Sequence, residues 1–277
     1  MKKYVAMLLA AMLVGSFAAC TPKTTEEPVV DEPETETEVA EEPVEEEPVE
    51  EEPAEKTELV MATNAYFQPY EYYEGEEIIG IDAEIAAAIA EKMGLTLRVE
   101  DMEFSSIISA VTAGSADMGM AGMTVTDERK ESVDFSSSYA NGVQSVIVKE
   151  DSPITSVDDI LADGATYKAA VQFGTTGDIY ATDDLGEDRV TQYSNGNGAV
   201  LALVGGDVDC VIIDNEPAKA LVAENEGLKI LDTAYADEDY AICVNKGNTE
   251  LLDAINAAID ELTADGTIDE IIAKYIG

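Results

Sequence analysis

From Leu59 to the C-terminus, short apolar runs alternate with stretches whose apolar residues recur at helical spacing. That alternation restricts the chain to parallel sheets covered by helices. Residues 60–63 read as a strand. Behind Asp82, which is placed to cap a helix, Ile85, Ala86, Ile89 and Met93 recur at helical spacing, and Gly94 stops the run. Residues 95–99 form the next strand, 105–113 a helix ended by Gly114, and 118–121 a third strand. After Phe135 the same grammar restarts, with strands at 144–148, 168–172, 190–193 and 210–213 separated by helices at 157–162, from Thr176, and at 199–204. Pro217 opens another helix in its first turn, where a missing N–H does no harm. Strands at 228–231 and 240–244 and helices at 250–262 and 268–275 complete the chain. Two α/β units with crossings between them fit this order better than one long sheet.

Everything before Thr57 differs in kind. Lys2 and Lys3 precede an apolar run from Val5 to Phe17, and Ala18 and Ala19 precede Cys20, which are the three parts of an export signal at 1–19. The run is shorter than the roughly 20 residues that a membrane-spanning helix needs. Phe17-Ala18-Ala19-Cys20 resembles the lipobox of bacterial lipoproteins, with Phe17 where Leu is usual, and the resemblance implies lipidation of Cys20. A secreted protein with an incidental Cys is the alternative. Two or more acyl chains hold a protein at a membrane where one does not. Residues 20–56 then form an acidic tether in which Glu-Glu-Pro-Val-Glu recurs at Pro43 and Pro48 and, with Ala54 for Val, at Pro53, without an aromatic residue. Such a segment buries too little apolar surface to offset its ordering entropy. It reads as a stalk or as a plain acidic spacer.

Composition excludes several functions. The segment 57–277 carries 11 Lys and Arg against 43 Asp and Glu, and the whole chain has a formal charge of −44. A polyanion such as nucleic acid would be repelled. The absence of histidine removes Ser-His-Asp and Cys-His catalysis and His-ligated zinc. Cys210 and Cys243 each sit in an apolar strand-like run and read as small buried side chains, with a disulfide as the alternative. Nothing points to a metal or a cofactor.

Several motifs stand in one order: 62–65 (Ala-Thr-Asn-Ala), 67–71 (Phe-Gln-Pro-Tyr-Glu), 80–82 (Gly-Ile-Asp) and 121–126 (Ala-Gly-Met-Thr-Val-Thr) with 128–130. Residues 133–136, 171–172 with 174–178 (Gly-Thr-Thr-Gly-Asp), 206–209 and 214–218 follow. With these the chain resembles family 3 of the bacterial solute-binding proteins, the polar amino-acid-binding components of ABC importers. The resemblance implies a periplasmic-binding-protein-like α/β fold, in which two Rossmann-like lobes joined by two hinge strands close like a Venus flytrap on a ligand between them. Lobe 1 would be 57–138 with 240–277, and lobe 2 would be 139–239. Open α/β sheets also place ligands beyond their strand ends on physical grounds.

A planar guanidinium forks onto a carboxylate with two charge-assisted bonds, and the resemblance gives Arg129 the ligand's α-carboxylate. The alternative is an exposed helix Arg paired with Asp127 or Glu128. Gly174 to Asp178 resembles an anion-binding turn, with Thr175 and Thr176 at a helix N-terminus. Asp214 matches the family's partner for the ligand ammonium, completed by the Gly122 carbonyl and the Thr124 hydroxyl, although capping a helix before Pro217 would equally explain it. A zwitterion buried without such partners costs several kcal/mol. Phe67 and Phe104 match positions flanking the ligand side chain, with core packing as the alternative. Asn64, Gln172 and Ile213 match positions that tune its polar end. Asn64 and Gln172 are neutral and the motifs show no dedicated carboxylate for a cationic side chain, so a polar uncharged amino acid is expected. The acidic lobes would favour Arg or Lys only at longer range.

The expectation is therefore a monomeric, extracytoplasmic lipoprotein held at the cell membrane by its lipid alone, capturing a free amino acid for ABC permease subunits. A carboxylate-using dehydratase of the same fold and a surface sensor or adhesion lipoprotein are the alternatives.

Overall fold

The computed structural model describes residues 56–277; the export signal, Cys20 and the tether up to residue 55 lie outside the described residues. Strand β1 (Glu58–Thr63) is followed by a small antiparallel sheet of β2 (Tyr66–Phe67), β3 (Glu71–Glu74) and β4 (Glu77–Ile79). Helix α1 (Ile81–Lys92), β5 (Thr96–Asp101), α2 (Ile107–Ala113), β6 (Met118–Gly119) and α3 (Asp127–Ser132) come next. The long strand β7 (Val133–Lys149) leads into α4 (Val157–Leu161), β8 (Ala169–Gln172), α5 (Thr176–Leu185) and β9 (Val190–Tyr193). Then come α6 (Gly196–Gly205), β10 (Cys210–Asp214), α7 (Asn215–Glu224) and β11 (Leu228–Ile230). Strand β12 (Ala236–Asn245) returns, and α8 (Thr249–Ala264) and α9 (Thr267–Ile276) end the chain.

The main strands join in one continuous sheet, ordered β5-β1-β6-β12-β7-β10-β8-β9 with β11 also on β7. This departs from the expectation of two separate sheets, and the reason is the length of β7. Its 17 residues span roughly 55 Å at a strand's rise, enough to serve both halves. Val133 to Gln144 pair antiparallel with β12, while residues from Gln144 to Lys149 pair with β10 and β11. The alternation of turn and strand signals between 133 and 143 did not mark this extension.

The side-chain period of two nevertheless builds separate cores in the two halves. In β1, Leu59 and Met61 face α1 and α8 through Ile81, Ile85, Ile89, Ile255 and Ile259, while Val60 and Ala62 face α2 through Ile107 and Val111. In the second half, Val146, Val148, Val171 and Ile212 pack on one face with Ala181 and Leu185 of α5. Ile147, Ala170 and Val211 pack on the other with Ala199, Leu203 and Leu221 of α6 and α7. Buried strands covered on both faces read as near-continuous apolar runs, which is why they are visible in the sequence. Fully burying one such Ile side chain contributes about 2–3 kcal/mol.

One capping expectation is overturned. Gly80, not Asp82, is the N-cap of α1, at φ 127°, where a Cβ would lie 2.2 Å from the Tyr70 carbonyl oxygen. Asp82 lies inside the helix, fully buried, and accepts hydrogen bonds from the Gly122 N–H and the Tyr139 hydroxyl, both at 2.8 Å. Cys210 and Cys243 are buried free thiols, and burial pushes each up to about 12.

Candidate ligand-binding site

Arg129 owes its inward position to a very short helix. The Thr126 hydroxyl caps α3 by accepting the Arg129 N–H at 3.1 Å, and the side chain turns inward to 7% exposure. Its Nη1 donates to the Thr124 carbonyl at 2.7 Å and its Nη2 to the Gly174 carbonyl at 3.1 Å, so it touches both halves of the protein. The guanidinium stands 5.3 Å from the centroid of the Phe104 ring. Burial lowers its pKa, and the neighbouring charge of Glu238 opposes the shift. Among the described residues no carboxylate oxygen comes within 4 Å of it, so the exposed-ion-pair alternative fails. Three of its five N–H donors remain for something else.

The turn before α5 is braced from behind. Thr175 is the N-cap, its hydroxyl accepting the Asp178 N–H at 3.3 Å and donating to the Gln172 carbonyl at 2.9 Å. Asp178 accepts the Gly174 N–H at 3.0 Å, which occupies one amide that the anion-binding expectation left free. Thr176 reaches across the cleft, its Oγ1 3.4 Å from that of Thr124.

Asp214 ends β10 and does both things the sequence allowed. Its Oδ1 caps α7 by accepting the Glu216 N–H at 3.0 Å, and its Oδ2 accepts the Val143 N–H at 2.8 Å. At 1% exposure, burial pushes its carboxyl up to about 6, and these hydrogen bonds only partly oppose the shift. Among the described residues it has no cationic partner within 4 Å.

Gly122 must be glycine: it sits at φ 51°, and a Cβ would lie 2.7 Å from Phe67. Phe67 stacks on Tyr70 at 5.7 Å and packs against cores of both halves, so core packing and cavity lining coincide there. Asn64 and Gln172 latch the halves together. Gln172 Nε2 donates to Asn64 Oδ1 at 2.8 Å and to the Ser194 carbonyl at 3.1 Å, and Asn64 Nδ2 donates to the Met102 carbonyl at 2.8 Å.

Arg129, Asp214, Thr124, Gly122, Thr175, Thr176, Phe67, Phe104, Asn64 and Gln172 all line one cavity, whose free space for water-sized spheres is about 20 Å³. Glu71, Gln144 and Tyr240 line it too, and sequence reasoning had not singled them out. Two signals were available. The β2–β3 register sets Phe67 opposite Glu71, and opposed residues share a face. In β12, exposed Asp237 and Asp239 alternate with buried Glu238 and Tyr240.

Glu71 is a further carboxyl on the cavity wall. It is 1% exposed, and neither of its oxygens meets an N–H or O–H donor among the described residues. Burial and the adjacent Asp82 hold its pKa well above the usual carboxylate range, while Asp82 itself is pushed up to about 6, chiefly by burial. A raised pKa favours the protonated form of Glu71 beside Asp82, as expected where two buried carboxyls abut.

Residues 59–277 match the model of the bacterial extracellular solute-binding proteins, family 3. The arginine-binding extracellular protein ArtP of Bacillus subtilis (strain 168) is 31% identical over 229 residues, covering 79% of this chain and 86% of that one. The ABC transporter glutamine-binding protein GlnH of the same organism is 34% identical over 203 residues, 72% of this chain and 73% of that one. A solved ancestral arginine-binding protein bound to arginine is 37% identical with a TM-score of 0.74, covering 80% of this chain and 99% of its own. These relatives bind amino acids, and their fold is the bilobed α/β one. The protein is a substrate-binding protein rather than an enzyme, and it belongs to family 3 of the bacterial extracellular solute-binding proteins.

Proposed function

We propose that the chain captures a free amino acid with a cationic side chain for an ABC importer. The observation that carries this is a pair of opposite charges, Arg129 and Asp214, both buried on the wall of one cavity and neither neutralised by a side chain within salt-bridge distance among the described residues. Isolated buried charges cost several kcal/mol each, so a site that keeps two of them is complementary to a ligand that brings their partners. A zwitterion does so. Its carboxylate takes the remaining N–H donors of Arg129 and the N-terminus of α5 at Thr175 and Thr176. Its ammonium takes Asp214, the Gly122 carbonyl and the Thr124 hydroxyl. Phe67 and Phe104 flank the side chain, with Asn64, Gln172 and Ile213 around its far end.

Glu71 supports the cationic preference, because it is a buried carboxyl on the cavity wall that meets no hydrogen-bond donor among the described residues, and a guanidinium or ammonium would supply one. The arginine-binding names among the relatives support the same reading. Expectation from sequence favoured a polar uncharged side chain. The neutral Asn64–Gln172 amide pair and the glutamine-binding relative keep that as a second reading. In the full reading, residues 57–138 with 240–277 close on 139–239 and present the ligand to the permease. The monomer is held on the extracytoplasmic face by lipid on Cys20 and the tether of 20–56.

Titration calorimetry of the protein with L-arginine, L-lysine and L-glutamine at pH 8 decides between the readings. L-arginine is expected to bind most tightly; tighter binding of L-glutamine establishes the neutral reading, and binding of none of the three sinks both.

A further inference from the structure

Glu238 does not line the cavity, yet it bonds two residues that do, Thr124 and Gln144. On β12 it is 6% exposed between two exposed aspartates. Its Oε2 accepts the Thr124 hydroxyl at 3.0 Å and the Gln144 Nε2 at 2.9 Å. Among the described residues no Lys or Arg nitrogen lies within 4 Å of it, so it is not held as half of an ion pair.

The chemistry of these two bonds has a direction. An ionised carboxylate only accepts, and a threonine hydroxyl has a single proton. With that proton committed to Glu238, the Thr124 oxygen presents only lone pairs to the cavity. The Gln144 amide is set the same way: its N–H faces Glu238, so its carbonyl oxygen turns away, buried and without a partner among the described residues. Gln144 is also the register partner of Asp214 across β7 and β10. Thr124, Gln144 and Asp214 are thus all acceptors in one cavity, and two of them are made so by the same carboxylate. Hydrogen-bond chains of this kind strengthen one another in a low-dielectric interior.

We propose that Glu238 is a positioning residue, orienting Thr124 and Gln144 as acceptors so that the cavity selects ligands carrying an α-ammonium over otherwise identical carboxylic acids. This rests on the amino-acid reading of the cavity and adds to it the group that enforces the ammonium requirement. In Glu238→Gln the new amide can donate to Thr124, which frees the hydroxyl proton to turn into the cavity against the ammonium.

The test compares L-arginine with 5-guanidinopentanoic acid, which keeps the carboxylate and guanidinium and lacks only the ammonium, on the full protein. Glu238→Gln is expected to weaken L-arginine binding roughly tenfold or more and to leave the deaminated acid within about twofold of its wild-type affinity. The preference for the amino acid then contracts by the same factor. Thr124→Val combined with Glu238→Gln should cost less than the sum of the two single changes, because they share the Thr124 hydroxyl and only the effect through Gln144 is separate. Glu238→Asp, which keeps the acceptor charge, should recover part of the preference, and it carries both comparisons if Glu238→Gln does not fold. Equal losses for the two ligands, unchanged L-arginine affinity, or additive effects with Thr124→Val overturn the proposal. Wild-type protein that ignores L-arginine but binds L-glutamine refutes only the cationic reading, and the same comparison is then made with L-glutamine and 4-carbamoylbutanoic acid. Binding of neither amino acid overturns both.

Discussion

The two ends of the cavity solve their polar problem in opposite ways. At one end Arg129 and Asp214 are buried with uncompensated charge, each held in place by backbone hydrogen bonds that leave the charge standing. At the other, Asn64 and Gln172 satisfy each other, and burial beside Asp82 raises the pKa of Glu71 on the cavity wall. The first end is unstable without a ligand; the second is already closed on itself. Under the proposed reading such a site demands the α-carboxylate and α-ammonium and is less strict over the side chain; the relatives include an arginine-binding and a glutamine-binding protein.

The largest effects should come from the charged end. Arg129→Ala is expected to remove 2–5 kcal/mol or more of binding free energy, because it leaves a buried ligand carboxylate without its bidentate partner. Calorimetry measures this, and an unchanged melting temperature shows that the fold survives. Retained affinity would place the carboxylate elsewhere and dissolve the contrast between the ends.

Asp214→Asn is next, with opposite effects on binding and on stability. Affinity should fall at least tenfold, since a neutral amide no longer pairs the ammonium. Stability of the ligand-free protein behaves otherwise. The Asp214 pKa lies near 6 in the fold against about 3.9 in the unfolded chain, so the native state binds the extra proton between those values. Stability is therefore lost as pH rises from about 4 to 6, and the penalty, on the order of 2 kcal/mol, is fully present above 6. Asn keeps a cap for α7 but cannot ionise. Thermal unfolding of Asp214→Asn should thus depend less on pH across that interval than the wild type; an identical pH profile would show that Asp214 is not the strained group.

The same contrast explains what was legible in the sequence. All ten residues expected at the site meet in one cavity, because each stands in a short local motif at the end of a strand or the start of a helix. The helices and parallel strands were visible through their apolar period. What escaped were properties of pairing. The 17-residue β7 joins the halves into one sheet, and the β2–β3 register brings Glu71 beside Phe67; neither leaves a periodic trace in composition. Asp82 was misread as a cap because acidic residues at helix starts usually are caps, and only the tertiary approach of Gly122 and Tyr139 reveals its buried role.

At the side-chain end the sharpest measurement is pH dependence. A cationic side chain favours ionised Glu71, so below the raised pKa of Glu71 binding must expel a proton, and affinity should rise with pH by up to about tenfold per unit. L-arginine affinity is expected to climb with pH until Glu71 ionises in the ligand-free protein, with proton release seen as a buffer-dependent binding enthalpy. L-glutamine affinity should stay nearly flat. Glu71→Gln should abolish the slope for L-arginine while leaving L-glutamine binding within a few-fold of wild type. A flat L-arginine profile would mean that the Glu71–Asp82 pair is a fixed piece of the wall.

The smallest expected effect belongs to the latch between the halves. Gln172→Ala removes the hydrogen bond to Asn64 and one to the Ser194 carbonyl, but Asn64 keeps its bond to Met102 and the vacated space is polar enough for water to replace part of the loss. Such a neutral bond contributes about 1 kcal/mol net, so every amino-acid ligand should lose roughly fivefold in affinity through weaker closure. The informative quantity is the ratio between ligands. If Asn64 and Gln172 only hold the halves together, L-arginine and L-glutamine weaken in parallel; if the amides read the side chain, L-glutamine weakens more, and the neutral reading of this end gains the evidence it needs.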